Sequence, residues 1–172
     1  MGILDGIFKP NIKKMAKNRD IDGIIKALNY EKDWKIRRQA AMTLGHLGYF
    51  SGLDNFVPMG PIDDPLATAN FARNFSEQAK EICIFGEKVI IVLTDALKDN
   101  NPEVRIQAAS SIARIWIKIN DTSTLRFFNK GDKPNMFKIL EMFEKAKMQL
   151  NDALRDNNDA VAKQAALTLE KL

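Results

Sequence analysis

The sequence predicts an all-α protein, an α-α superhelix: a short solenoid of antiparallel helix pairs with two irregular insertions. Three observations carry that expectation. A helical segment recurs three times, an amphipathic helix precedes each copy, and a short polar turn joins the two each time. Internal repetition at this scale means that each unit buries its apolar face against its neighbours.

The recurring segments begin at Ile36 (Ile-Arg-Arg-Gln-Ala-Ala-Met-Thr-Leu-Gly-His-Leu-Gly), at Val104 (Val-Arg-Ile-Gln-Ala-Ala-Ser-Ser-Ile-Ala-Arg-Ile) and at Val161 (Val-Ala-Lys-Gln-Ala-Ala-Leu-Thr-Leu-Glu-Lys-Leu). Each has a β-branched residue, then Gln-Ala-Ala three steps on, then aliphatics three and six residues after the second alanine. Gln39, Gln107 and Gln164 share one register. The apolar positions fall at i, i+4, i+8 and i+11, one face of a helix. Leucine would satisfy helix propensity equally well at the paired positions, so the repeated Ala40-Ala41, Ala108-Ala109 and Ala165-Ala166 predict close approach by a neighbouring helix.

Ile21–Leu28 precedes the first copy, with Asn29 to Asp33 as the turn. Val89–Leu97 precedes the second through Asp99-Asn-Asn-Pro102, and Met148–Leu154 the third through Asp156-Asn-Asn-Asp159. Asn101 followed by Pro102 is a helix start, a side-chain cap and then a residue whose φ suits the first turn. Asp33 and Asn158 are expected to cap the other two. A degenerate fourth copy is read in Ala79, Ile82, Phe85 and Gly86, which repeat the spacing of Ala41, Leu44, Leu47 and Gly48. Residues 49–65, with Gly52, Pro58, Gly60, Pro61 and Pro65, read as one irregular insertion, and residues 120–134, with Gly131 and Pro134, as the second. A long helix from about 135 to 155 is expected to feed the last pair, and residues 1–172 are read as one repeat domain.

Composition excludes several classes. No apolar run approaches the roughly 18 residues of a membrane span. The opening Met1–Phe8 lacks a basic flank and carries Asp5, so no signal peptide is expected; Gly6 where a myristoylation motif needs Ser or Thr argues against a lipid anchor. A cytoplasmic location follows as the expectation, and the single Cys83 is read as core packing. With one histidine, His46, and one cysteine, a zinc site cannot be assembled within one chain. P-loop, Gly-x-Gly-x-x-Gly and Gly-x-Ser-x-Gly stretches are absent, and Asp63-Asp64 reads as turn chemistry. No catalytic residue, metal ligand or cofactor is therefore assigned.

The run Asp20–Leu28, with Ile36-Arg37, Ala40-Ala41 and Leu44-Gly45-His46-Leu47-Gly48, resembles the HEAT-like repeats of phycobilisome lyase proteins. Gly86-Glu-Lys-Val89, Leu97–Arg105 and Ala108-Ala109 are similar to another unit of that family, and Phe8-Lys-Pro-Asn-Ile-Lys-Lys looks like the lead-in of small archaeal HEAT-repeat proteins. The resemblance covers about 20–48, 79–117 and 148–172 and speaks to the repeat alone, not to bilin attachment. It implies that Arg37 and Arg105 pair with acids of the preceding turn, a contact that Ala162 removes from the last copy. The repeated His-Glu pairs of HEAT-like iron hydroxylases are absent.

The expected function is a non-catalytic protein–protein interaction scaffold. The alternative is nucleic-acid binding through a basic N-terminal region and concave surface. Residues 1–50 hold ten Lys/Arg against five Asp/Glu, whereas the remainder holds sixteen against seventeen. Lys13, Lys14 and Lys17, with Arg19, Lys35 and Arg38, supply that charge, and Arg114, Lys163 and Lys171 lie in registers that stacking would align into a stripe. Lys13, Lys14, Lys17, Arg38, Arg114, Lys163 and Lys171 are the candidate partner-binding residues. His46 shares the outward register of Arg114 and Lys171. Trp34 and Trp116 would stack on bases under the nucleic-acid reading and pack between helices under the scaffold reading. Phe50, Phe56, Phe127 and Phe128 would either form a binding face on the insertions or fold back onto the core. The C-terminal helix is expected to stand exposed on one side or to be covered in a homodimer.

Overall fold

The computed structural model describes residues 9–47, 86–119 and 133–172, with backbone alone at 118–119, 133–136 and 139. The first insertion, nearly all of the second, Cys83, the four insertion phenylalanines and all of the degenerate copy except Gly86 lie outside the described residues.

Seven helices and no strand are found among the described residues: α1 (Ile12–Lys17), α2 (Ile21–Leu28), α3 (Trp34–Leu47), α4 (residues 86–96), α5 (Pro102–Ile119), α6 (Lys133–Ala153) and α7 (Asp159–Leu169). The all-α expectation holds. Asn11 and Asp20 cap α1 and α2 by accepting from the Lys14 and Gly23 N–H groups. Asp33 accepts from Lys35 N–H, Asn101 from Glu103 N–H, and Asn158 from Ala160 and Val161 N–H, satisfying donors that no helical carbonyl can reach. One boundary differs from the sequence reading. The long helix begins at Lys133 rather than about 135, so residues 133–134 belong to it and not to the insertion. Pro134 occupies its first turn, where the missing N–H would have had no partner.

Second helices α3, α5 and α7 pack side by side, α3 on α5 and α5 on α7. First helices pair with them, α2 with α3 and α6 with α7, while α1 closes the N-terminal side against α2 and α3. The repeated apolar register supplies the core: Ile36, Ala40, Leu44, Val104, Ala108, Ile112, Ile115, Val161 and Ala165 are all buried, joined by Ile24, Val89, Ile90, Leu93, Phe143 and Leu150 from the first helices. Burial of each large aliphatic contributes about 1.5–3 kcal/mol. Trp116 is 9% exposed and meets Phe143 edge-on with centroids 4.6 Å apart, so it packs between helices and offers no stacking platform. Trp34 is half-buried, with Lys35 Nζ 5.9 Å from its ring centre.

The small residues do allow close approach. A Cβ added to Gly45 of α3 would stand 2.6 Å from Ser111 Cβ and 2.9 Å from Ser111 Cα of α5, too close for any side chain there. Ala41 and Ala109 are fully buried where the next second helix covers them; Ala166, at the same register of α7, is half-buried.

Candidate functional site

Three kinds of contact join one repeat to the next, and they determine which polar side chains remain for a partner. The first is an arginine–carboxylate pair. Arg37 donates from Nε and Nη2 to both Asp99 oxygens at 2.7 and 2.9 Å, from Nη2 to Asn100 Oδ1, and from Nη1 to the Tyr30 and Glu31 carbonyls. Arg105 repeats the pattern on Asp156 at 2.7 and 2.7 Å, with Nη1 donating to the Asp99 carbonyl. The expectation that these arginines pair with acids of the preceding turn is therefore corrected. The preceding turn supplies carbonyl acceptors and, at Arg37, only the lesser attraction of the Asp33 charge; the hydrogen-bonded acid comes from the turn of the following repeat. The reason is geometric: at the start of a second helix, the arginine lies between its own turn and the next one, and a planar fork can bind both. The carboxylates also organise their turns, accepting from Asn101 N–H (Asp99) and Asn158 N–H (Asp156).

Both pairs are largely shielded from water, with side-chain exposures of 9% and 11% for Arg37–Asp99 and 16% and 12% for Arg105–Asp156. Asp99 raises the Arg37 pKa further above its ordinary value through the hydrogen bond, against burial. Arg105 holds the Asp156 carboxyl below the usual carboxylate range, again against burial, with Asn158 N–H assisting. At the first turn Lys9 and the Lys35 N–H lower Asp33 in the same way.

The second contact explains the shared glutamine. Gln107 Nε2 donates to Ser111 Oγ, and Ser111 donates across the interface to the Ala41 carbonyl at 2.9 Å. Gln164 Nε2 donates to Thr168 Oγ1, which donates to the Ala109 carbonyl at 3.2 Å and to the Gln164 carbonyl at 2.9 Å. A hydroxyl one turn after the glutamine thus ties each second helix to the one before it. Close packing of small residues is the third contact.

The side chains left over lie on the outward face of α3, α5 and α7. Arg38, Met42 and His46 are exposed on α3, Ile106, Ser110 and Arg114 are half-buried on α5, and Lys163, Leu167 and Lys171 are exposed at the C-terminal end. Arg38 reaches Glu103 at 3.4 Å. His46 Nδ1 lies 2.8 Å from the Met42 carbonyl, which can only accept, and Nε2 lies 2.6 Å from Arg114 Nη1, which can only donate. These partners fit the tautomer with its proton on Nδ1. His46 is occupied by protein groups and not available as a ligand in this arrangement.

Residues 92–119 match the family model of the HEAT repeat. The chain is a HEAT-like repeat protein. The matched stretch spans the end of α4, the Asp99 turn and α5, and the same arginine, glutamine–hydroxyl and alanine positions extend the HEAT pattern to α3 or α7 on either side. No curated protein matches the chain. HEAT repeats form helical scaffolds that usually mediate protein interactions and are generally non-catalytic. No helix among the described residues is long and apolar enough to cross a membrane, and none of them gather into a group of three metal-ligating side chains.

The seven candidate partner-binding residues do not form one cluster. Lys13, Lys14 and Lys17 are exposed on α1; Arg38 and Arg114 have the partners just given; Lys163 and Lys171 stand free of any ion pair among the described residues. Ile106 occupies the register between Arg38 and Lys163, which interrupts that row of charge. What the structure does bring together is Lys17 with Arg19, Met42 and His46, around an open cleft of about 490 Å³ between α1 and α3 whose remaining lining is Ala16, Thr43 and Leu47. Sequence reasoning missed this cleft. The available signal was the single residue, Arg19, between the end of α1 at Asn18 and the cap of α2 at Asp20, which forces an abrupt chain reversal beside the start of the stack.

Proposed function

We propose that the protein is a non-catalytic scaffold that holds a protein partner on the outward face of α3, α5 and α7. One observation carries the reading: the arginines and the buried hydroxyls with their glutamine partners are consumed in joining repeats, whereas the outward row of Met42, Ser110 and Leu167, flanked by basic residues, has no such structural role. Met42 is 37% and Leu167 42% exposed. Apolar side chains ringed by polar ones are the ordinary composition of a protein-binding surface. The reading places such a protein in the cytoplasm.

The test is capture from native lysate, with and without nuclease, by the wild-type protein and by an Arg38→Glu/Lys163→Glu/Lys171→Glu variant. Nuclease-resistant capture lost in the variant supports the scaffold; failure to retain any protein overturns it. A nucleic-acid role has one observation in its favour, the exposed Lys13, Lys14 and Lys17 on α1. Three lysines neutralise about three phosphates, giving a logarithmic salt slope of about −3 and weak contact at physiological salt. Sub-micromolar duplex binding at physiological salt, abolished by Lys13→Glu/Lys14→Glu/Lys17→Glu, would replace the scaffold reading.

A further inference from the structure

We propose that the cleft between α1 and α3 is a docking site for an acidic, amphipathic segment of a protein partner. The inference rests on the scaffold reading and names the chemistry of what is held.

The cleft offers two kinds of surface. Its lining is largely apolar, from Ala16, Met42 and Leu47, and also carries Lys17, Arg19 and His46, the last bonded to Arg114. No lining residue is acidic. An incoming carboxylate therefore meets Lys17 and Arg19 at the end of α1, and Arg114 of α5 behind the neutral His46 ring, with no acidic residue in the lining. Thr43 adds a hydroxyl at the register where Ser111 and Thr168 reach the carbonyl of a preceding second helix. In the first repeat α1, six residues long, stands where that helix would be, and it leaves this position facing the cleft.

The backbone at Arg19 is the second, independent observation. Its φ of 52° is left-handed, the conformation that favours glycine at a helix end. Asp20 N–H donates to the Met15 carbonyl at 2.9 Å and Arg19 N–H to the Ala16 carbonyl at 3.1 Å, the bond pattern that ends helices with such a residue. Glycine would make this turn without strain. An arginine here carries a conformational cost at a position that lines the cleft, an outlier that points to a use for the side chain.

The lining decides between occupants. A nucleic-acid strand would bring phosphates to the basic residues, but the lining holds no Phe, Tyr or Trp ring on which a base could stack, and the His46 imidazole is held by Met42 and Arg114. The apolar part of the lining would be left against a polar backbone. An amphipathic peptide covers both surfaces, with aliphatic side chains on Met42 and Leu47 and Asp or Glu on Lys17 and Arg19. The unbranched thioether of Met42 adapts to side chains of different shape.

The experiment uses the full chain and a capped, fluorescent helical peptide of about 14 residues, carrying leucines at i, i+3, i+4 and i+7 and glutamates on both flanks. Arg19→Gly is the diagnostic variant, because it removes the guanidinium and relaxes the backbone together. We expect it to weaken peptide binding about tenfold while the Tm stays equal or rises; Met42→Ser should weaken binding similarly. A scrambled peptide of the same composition should bind at least about tenfold more weakly. The proposal is overturned if the peptide does not bind, if Arg19→Gly binds it as tightly as wild type, if the scrambled peptide binds equally, or if labelled duplex competes better than the peptide. Lysate capture that depends on Lys163 and Lys171 but is indifferent to Arg19→Gly would leave the scaffold standing and remove this cleft from it. Loss of both would remove the scaffold as well.

Discussion

The joint between α3 and α5 and the joint between α5 and α7 use the same residue types in the same register, yet the first is tied more tightly. Arg37 makes three hydrogen bonds across the first, one of them to Asn100 Oδ1, and two more to its own preceding turn; Arg105 makes two across the second and one to its own preceding turn. Ser111 reaches its carbonyl at 2.9 Å because Gly45 allows it in; Thr168 reaches at 3.2 Å and divides its hydroxyl with its own helix. On the outward face Arg38–Glu103 and His46–Arg114 bridge α3 to α5, whereas no outward side-chain pair among the described residues bridges α5 to α7. A repeat motif therefore specifies that units stack. How firmly they stack is set by variable positions around it, here Gly45 against Ala113 and Asn100 against Asn157.

The largest effect should come from Arg37→Ala, which strands the buried Asp99 carboxylate and destabilises by about 3–5 kcal/mol in chemical denaturation. Arg105→Ala should destabilise less, since fewer bonds are lost. Equal losses would show that the extra contacts of Arg37 contribute nothing and that the joints are energetically alike. Lysine at either position should rescue little, because it lacks the planar fork.

Overpacking gives a smaller and more local contrast. Ala41→Leu and Ala109→Leu, each fully buried under the next second helix, should destabilise by about 1–3 kcal/mol. Ala166→Leu at the half-buried end should stay within about 0.5 kcal/mol of wild type. A large effect at Ala166 would mean that its side of α7 is packed. Next in size, Ser111→Ala should remove about 1 kcal/mol, more than Thr168→Val, whose hydroxyl bond across the joint is longer. The reverse order would break the ranking of the two joints.

The smallest effect is on pH dependence. The Asp156 carboxyl sits below its ordinary 3.8 in the folded chain, principally through Arg105, so it binds its proton less readily folded than unfolded. Its contribution is present in full above that ordinary value and is lost as pH falls through the depressed one. Asp156→Asn should flatten the acid limb of stability below about pH 4 relative to wild type. An unchanged limb would place the acid-sensitive contact elsewhere.

Much of the fold was legible because its determinants are local. The 3.6-residue period of Ile36, Ala40 and Leu44 and the caps at Asp33, Asn101 and Asn158 need only neighbouring residues to act. The identity of the arginine partner was not legible. Arg37 and Asp99 are 62 residues apart, and the spacing that locates both within their repeats does not say whether the arginine reaches back or forward. The glutamine register was visible, and so were Thr43, Ser111 and Thr168 four residues later; what was missing was the neighbouring carbonyl that gives the hydroxyl its purpose. Of the candidate site, the basic residues of α1 were visible as charge. Their division into Lys17 and Arg19 on a cleft and Lys13 and Lys14 away from its lining depends on how α1 leans against α3.

By itself the sequence determined the helices of the repeats, most of their ends and the face each would bury, since periodicity, capping and the small size of alanine act within a turn or two of chain. Only the tertiary structure decided that Arg37 and Arg105 reach forward to the next turn, that His46 spends both ring nitrogens on α3 and α5, and that Arg19 adopts φ 52° where it lines a cleft. Those outcomes depend on the distance and tilt between helices that are remote in the chain. Such distances are set by the summed packing of many side chains and are written in no single motif.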